Sequence, residues 1–377
     1  MGDYILFQSE YKLVRKSSKI GLTIIFLALA LLTRIMLYIS AGNPIIVEKL
    51  YSSSLYPYIG KGLGIVTSVI PFSIAEALLI LMLVSGLIFF ISIIIKPAII
   101  LRNMSTILNY LIRSLALFYI LFYLLWGFNY YREDYSILDN MNLEPATYEE
   151  LKELTLINIM KVNDIREALE EDNNGVFFLD DSINELGQAA NLGFKNYKVG
   201  SISLDGNYGR IKAVNLSKYM SYTGITGIFI PFTSEPTVNV DVPFQTLLST
   251  ISHEMAHQRG FAKEDEANFI SYKANTNNPD QRFQYSGYYL AMSHLMNELS
   301  MQNMEDYSLL YNEISDPVKR DLDFSREYWD SRKGKVRDKA RQVNDSYLKS
   351  NNQSQGVQSY NGLVNLLLAE YKSQEID

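Results

Sequence analysis

The chain has 377 residues, 48% of them hydrophobic and 20% charged, with 34 lysines and arginines against 41 aspartates and glutamates and a formal net charge of −7. That balance, without any nucleic-acid motif, excludes a nonspecific binder of nucleic acid or another polyanion. The absence of cysteine excludes disulfides, thiolate metal sites and a cysteine nucleophile.

Apolar residues concentrate in the first third. Lys12, Arg15, Lys16 and Lys19 precede an apolar run from Ile20 to Ala41 whose only charge is Arg34. A second run covers Ile74–Ile95, with Glu76 near its start, and a third extends over about 111–129, with Arg113 near one end. A helix of about 20 apolar residues crosses the ~30 Å hydrocarbon core of a bilayer, so three transmembrane helices are expected. A cleaved signal peptide is a poor alternative for the first run, which is too long and lacks a small-residue cleavage site.

Orientation follows from the basic residues beside the spans. Lys96, Arg102 and Arg113 flank the connection between the second and third spans, whereas the loop between the first and second carries only Lys49 and Lys61. The N-terminus is therefore expected in the cytoplasm and everything after about Tyr130 outside it. Trp126, Tyr130 and Tyr131 are expected to anchor the third span at the outer interface. The stretch from Pro57 to Phe72, broken by Gly60, Gly62, Gly64 and Pro71, reads as interfacial or re-entrant. Its glycines make no phosphate loop, because no Gly-Lys-Ser/Thr ending follows. Glu76, at a span end, reads as a solvated interfacial acid.

Residues 1–135 thus form a membrane domain, followed by an extracytoplasmic α+β domain over 136–377. Segments 147–168 and 182–192 are amphipathic and helical in pattern. Short strands are expected at 201–204, 213–216, 227–230 and 237–240, between Gly, Pro and Asn signals. The stretch 224–231 can act as an edge strand that pairs with an extended peptide, or as an ordinary hairpin. The catalytic core lies at about 200–300, and 301–377 is a helical C-terminal part with a loop at 351–356. Its basic stretch through Arg341 alternates in sign and reads as a solvated face.

The chemistry lies in His253-Glu254-Met255-Ala256-His257. The chain has only three histidines, and two of them fall here. Four residues along an α-helix bring both imidazoles to one side, about 40° apart, so they can share a metal while Glu254 reaches a water bound to it. Pro243 suits a first turn, Leu247, Leu248, Ile251 and Met255 form an apolar stripe, and Gly260 suits a C-terminal cap. A catalytic Zn2+ usually takes three side chains, so a further ligand is needed. Beyond Gly260, the sequence from Lys263 reads as a second helix on which Glu264 and Asn268 share a face while Glu266 points roughly 200° away from Glu264. Glu264 is the preferred ligand and Glu266 the alternative. An ordinary solvated acidic helix start would also suit both. Glu264-x-x-x-Asn268 resembles the Glu-x-x-x-Asp arrangement of gluzincin proteases, which implies Glu264 on zinc and Asn268 supporting a ligating histidine. Tyr285, Tyr288, Tyr289 and His294 are candidates to stabilise an oxyanion, although each is also an ordinary packing residue.

Three N-terminal spans, Ile70-Pro71-Phe72-Ser73, Trp126-Gly127-Phe128-Asn129-Tyr130-Tyr131-Arg132, Gly227-Ile228-Phe229-Ile230-Pro231-Phe232-Thr233 and the region His253 to Phe269 together resemble the bacterial domain-of-unknown-function family 3810. The resemblance covers nearly the full length and implies a membrane-anchored, zincin-like HExxH metallopeptidase. Gly260 stands where the metzincin pattern has glycine, but Lys263 replaces the third histidine of that pattern. The expected function is hydrolysis of an amide in a peptide, protein or cell-wall peptide, with His253, His257 and Glu264 holding zinc and Glu254 as general base. The alternatives are a catalytically silent membrane scaffold and an amidase or endopeptidase acting on peptidoglycan peptides.

Overall fold

The computed structural model describes the backbone of residues 2–376 and the side chains of residues 20–358 and 362–373. The basic side chains Lys12 to Lys19 lie outside the described residues. Three stretches are long and apolar enough to cross a membrane: Ile20–Ala41, which ends the helix Gly2–Ala41, then Ile74–Ile95 and Pro97–Leu125. No residue in the most apolar window of Ile74–Ile95 is buried, the condition of a helix that is hydrophobic all round and has lipid rather than protein as its neighbour. The third helix starts well before the expected residue 111, because Lys96 closes one helix and opens the next and Pro97 fits its first turn. It also ends sooner, where Gly127–Tyr131 tightens into a 3-10 turn. Thr23 links the first and third helices. Its hydroxyl donates to Asn109 Oδ1 at 2.7 Å and accepts from Arg113 Nε at 2.9 Å, bonds that hold helices together where apolar contact alone gives no preference over lipid.

The remainder of the chain sits directly on the ends of these helices. Leu37, Tyr56, Tyr123, Trp126, Phe229 and Ala262 share one buried cluster. Trp126, Tyr130 and Tyr131 are 3%, 1% and 6% exposed, so they fill the seam between the third helix and the domain rather than face lipid headgroups as expected. Glu76 is likewise not a solvated acid. It is buried and accepts from Asn215 N, Asn215 Nδ2 and Leu216 N at 2.8–2.9 Å, which ties the second helix to the domain. Within the Pro57–Phe72 stretch, Tyr56–Ser68 is a regular helix with Pro57 in its first turn. It lies against the domain through its glycines: a Cβ on Gly64 would stand 1.9 Å from Tyr208 O, and one on Gly60 3.2 Å from Gln258 O.

Beyond Tyr131 the molecule is mostly helical, with two small sheets. Thr147 and Ser182 open the helices Tyr148–Arg166 and Ile183–Phe194 with capping boxes, as their sequence patterns suggest. β1 (Lys198–Val199) pairs antiparallel with β2 (Ile202–Ser203). β3 (Lys212–Ala213), β4 (Gly227–Ile230) and β5 (Glu235–Val238) form a second sheet in the order β3-β5-β4, with β3 parallel and β4 antiparallel to β5. β4 has the expected bounds, whereas the strands expected at 201–204, 213–216 and 237–240 are shortened or displaced. β5 stops at Val238 because Asn239 turns inward and its Nδ2 donates to Ser221 Oγ and Ile225 O.

Helices Phe244–Gln258, Glu264–Thr276 and Gln281–Gln302 then pack together. Leu248, Ile251, Phe269, Ile270, Phe283 and Leu295 are each 0–1% exposed in their shared core. Helices Met304–Asn312, Asp316–Asp330, Lys335–Ser350 and Leu363–Ile376 complete the C-terminal part. Segment 351–353 returns to the membrane side, where Asn351 Oδ1 accepts from Tyr123 OH and Asn352 Nδ2 donates to Tyr130 O.

Candidate metal centre

The helix Phe244–Gln258 carries the HExxH motif. Pro243 is its N-cap rather than a first-turn residue, and Arg259 its C-cap. Leu247, Leu248, Ile251 and Met255 are buried, as their spacing predicts. His253 and His257 therefore emerge together, with ring centroids 4.6 Å apart and planes at 88°. Gly260 follows in the left-handed region, with φ of +91°, a conformation glycine adopts at no steric cost. The chain thereby turns back, and Glu264 opens the helix Glu264–Thr276.

Glu264 Oε2 lies 3.2 Å from His253 Nε2 and 3.5 Å from His257 Nε2. All the ligand atoms of these three residues fall within 4.8 Å of one another. Two donors bound tetrahedrally at about 2.0–2.1 Å to one ion stand roughly 3.3 Å apart, close to the spacing of Glu264 Oε2 from each imidazole. The outer nitrogens are committed elsewhere: His253 Nδ1 faces Asn268 Oδ1 at 2.8 Å, and His257 Nδ1 donates to Phe261 O at 2.7 Å. Such bonds fix each ring and leave Nε2 for the metal. Glu266 is turned away. Its Oε1 accepts from Tyr135 N at 2.9 Å and pairs with Lys263 at 3.4 Å.

Burial opposes charge on Glu264, but the imidazoles of His257 and His253 hold its carboxyl well below the usual range. Burial acts against a proton on His257 too, yet Glu264 and then Glu254 raise it to about 9. Burial and the neighbouring His257 lower His253.

Glu254 is 4% exposed, and burial pushes its carboxyl up to about 8. Its Oε2 has no hydrogen-bond partner. Gly227, the first residue of β4, passes beside it, and a Cβ there would lie 2.5 Å from Glu254 Oε1. β4 is an edge strand, as the sequence allowed.

None of Tyr285, Tyr288, Tyr289 and His294 has a hydrogen bond, ion pair or ring contact with His253, Glu254, His257 or Glu264 among the described residues. The Tyr285 hydroxyl donates to Asp321, Tyr288 packs edge-on against Tyr272, and Tyr289 is buried. His294 is half-buried, and burial depresses it to about 4. Two neighbours of the site are not readable from spacing. Trp126 Nε1 donates to His257 O at 3.1 Å, with its ring edge-on to the imidazole at 5.9 Å. Gln353 Oε1 accepts from Glu264 N at 3.4 Å.

The family described as Protein of unknown function (DUF3810) matches residues 51–368. No curated protein matches the chain, and no solved structure does.

Proposed function

The chain belongs to this family, whose description names no activity, and we propose from the site that it is a membrane-anchored, zinc-dependent peptidase working outside the cytoplasm. The observation that carries this reading is the convergence of His253 Nε2, His257 Nε2 and Glu264 at ligand spacing, with Glu254 buried beside them. Two imidazoles and a carboxylate suit zinc, which when bound lowers the pKa of water and polarises an amide carbonyl. Asn268 and Phe261 O orient the imidazoles. Glu254 takes a proton from the attacking water and returns it to the leaving nitrogen. An extended substrate added to the free edge of β4 would run past Glu254, because Gly227 leaves no side chain between them. Glu254 Oε2 is a buried acceptor without a partner among the described residues, which leaves it free to accept a proton from water beside the site. Lys96 and Arg102 lie at the turn between the second and third helices, whereas Trp126 reaches the metal site from the other end. The positive-inside rule therefore puts the site outside the cytoplasm.

The test uses the purified full-length protein. About one zinc per chain is expected from a complete three-ligand set. Glu254→Gln should keep that zinc and lose at least ~100-fold in hydrolysis of a peptide library, the scale of a lost general base. Equal hydrolysis by variant and parent would overturn the reading.

A further inference from the structure

β4 connects the metal centre to the lipid-facing side of the third apolar helix. One end of the strand is Gly227, against Glu254. Past the other end, the ring of Phe232 lies 4.4 Å from Phe118 and 6.5 Å from Phe122, both on Pro97–Leu125. Phe118 is 58% exposed, and Leu117 and Leu121 beside it are exposed as well, the surface that lipid covers on a helix of this composition. Thr67 Oγ1 donates to Thr233 O, so the turn after β4 is also fastened to the Tyr56–Ser68 helix. That helix and its flanks expose Leu55, Tyr58, Val66, Val69 and Phe72, while Gly60 and Gly64 face the domain. The turn after β4 is therefore flanked by the exposed apolar faces of two helices. Gly227–Ile230 is extended over three steps, about 10 Å, and the turn at 231–234 begins where it ends, so Gly227 and Phe232 are less than about 17 Å apart.

We propose, resting on the peptidase reading, that the substrate is the juxtamembrane segment of a membrane-anchored polypeptide. It rises from the lipid surface near Phe232, adds in extended form to the edge of β4, and is cut within about six residues of its anchor. Water adds across the scissile C–N bond: its hydroxyl joins the carbonyl carbon and its proton joins the leaving nitrogen. A free peptide with the same residues lacks the tether that holds it at the strand, and tethering alone raises effective binding by about 100-fold or more.

Two measurements test this. The first is independent of activity. A fluorophore on Phe232→Cys, the one thiol of this otherwise cysteine-free chain, reports the surroundings of the turn after β4, and the melting temperature of wild-type protein checks that the variant folds. In vesicles of phosphatidylcholine spin-labelled near the headgroups, that fluorophore should be strongly quenched. Quenching by aqueous iodide alone would overturn the proposal and leave the peptidase reading untouched. The second measurement places one peptide library 5 or 25 residues from a single apolar span, co-reconstituted with the protein, and supplies the same library free in solution. The short-spaced library should be cut about 100-fold faster than the free one, with products ending within about six residues of the span. Equal cutting of free and anchored libraries would overturn the proposal alone. No cutting in any arm would overturn it together with the peptidase reading.

Discussion

Each candidate ligand nitrogen is aimed by a second bond on the far side of its ring, and the two bonds differ in kind. Phe261 O is main chain, fixed by the turn at Gly260, whereas Asn268 Oδ1 is a side chain. Asn268→Ala should therefore weaken zinc binding by roughly 10- to 100-fold without abolishing it. In the same chelator competition, Glu264→Ala should lose zinc sharply and Glu266→Ala should retain it, because Glu266 serves Tyr135 N and Lys263 instead. A zinc site lost only in Glu266→Ala would refute the ligand set. Gly227→Val should lower hydrolysis while sparing zinc, since its side chain would displace Glu254. The convergence of His253, His257 and Glu264 was legible because His253 through Asn268 are contiguous, and helix geometry with one glycine turn fixes their relative positions. Trp126 and Gln353 were not legible, since only the tertiary fold brings them to the motif. The tyrosines singled out downstream face the core because Asp321 and Tyr272 offer them partners, which spacing cannot show.

Among the elements, the segment between the first two apolar helices departs most from its sequence reading. Its glycines and prolines suggest a broken interfacial loop, yet Gly60 and Gly64 serve close helix packing against the end of the motif helix. Nearby, Arg132 bonds both oxygens of Glu48 at 2.9 Å and Gly260 O at 2.8 Å, with the two side chains 1% and 8% exposed. Removing one partner leaves the other as an uncompensated buried charge. Arg132→Leu should destabilise the protein by about 3–5 kcal/mol, and Arg132→Leu with Glu48→Leu should recover much of that loss. Thermal unfolding in detergent reads both. If the double variant is no more stable than the single, the pair is not the source of the effect. Helix starts at Thr147 and Ser182 were legible because capping boxes are local. The short strands were misplaced because their ends depend on partners such as Ser221, distant from Asn239.

At the scale of the whole molecule, the alternation of three apolar helices puts Lys96 and the HExxH motif at opposite ends of the third helix. The cysteine-free chain makes this measurable. Single cysteines at Ser53, Ser105 and Ser354, all exposed, should react with an impermeant thiol reagent on intact cells at Ser53 and Ser354 and not at Ser105. The reverse pattern would place the metal site in the cytoplasm. The apolar runs themselves were legible from composition. That the domain rests on them, through Glu76 and Trp126, was not, because both residues looked like generic membrane-end side chains.

The contact of Gln353 with Glu264 also bears on when the motif acquires its finished surroundings during synthesis. The two residues are 89 positions apart, which at about 5–20 residues per second is roughly 5–20 seconds of translation. The histidines thus emerge well before the segment that closes over them, and Asn351 and Asn352 must still dock on Tyr123 and Tyr130. A half-made chain would carry the motif without its finished surroundings, so the site would be complete only once the last helices have been made. Chains ended after Gly334 should insert normally yet hold zinc more weakly than the full-length protein, whereas full zinc affinity in such chains would show that the late segment has no part in timing.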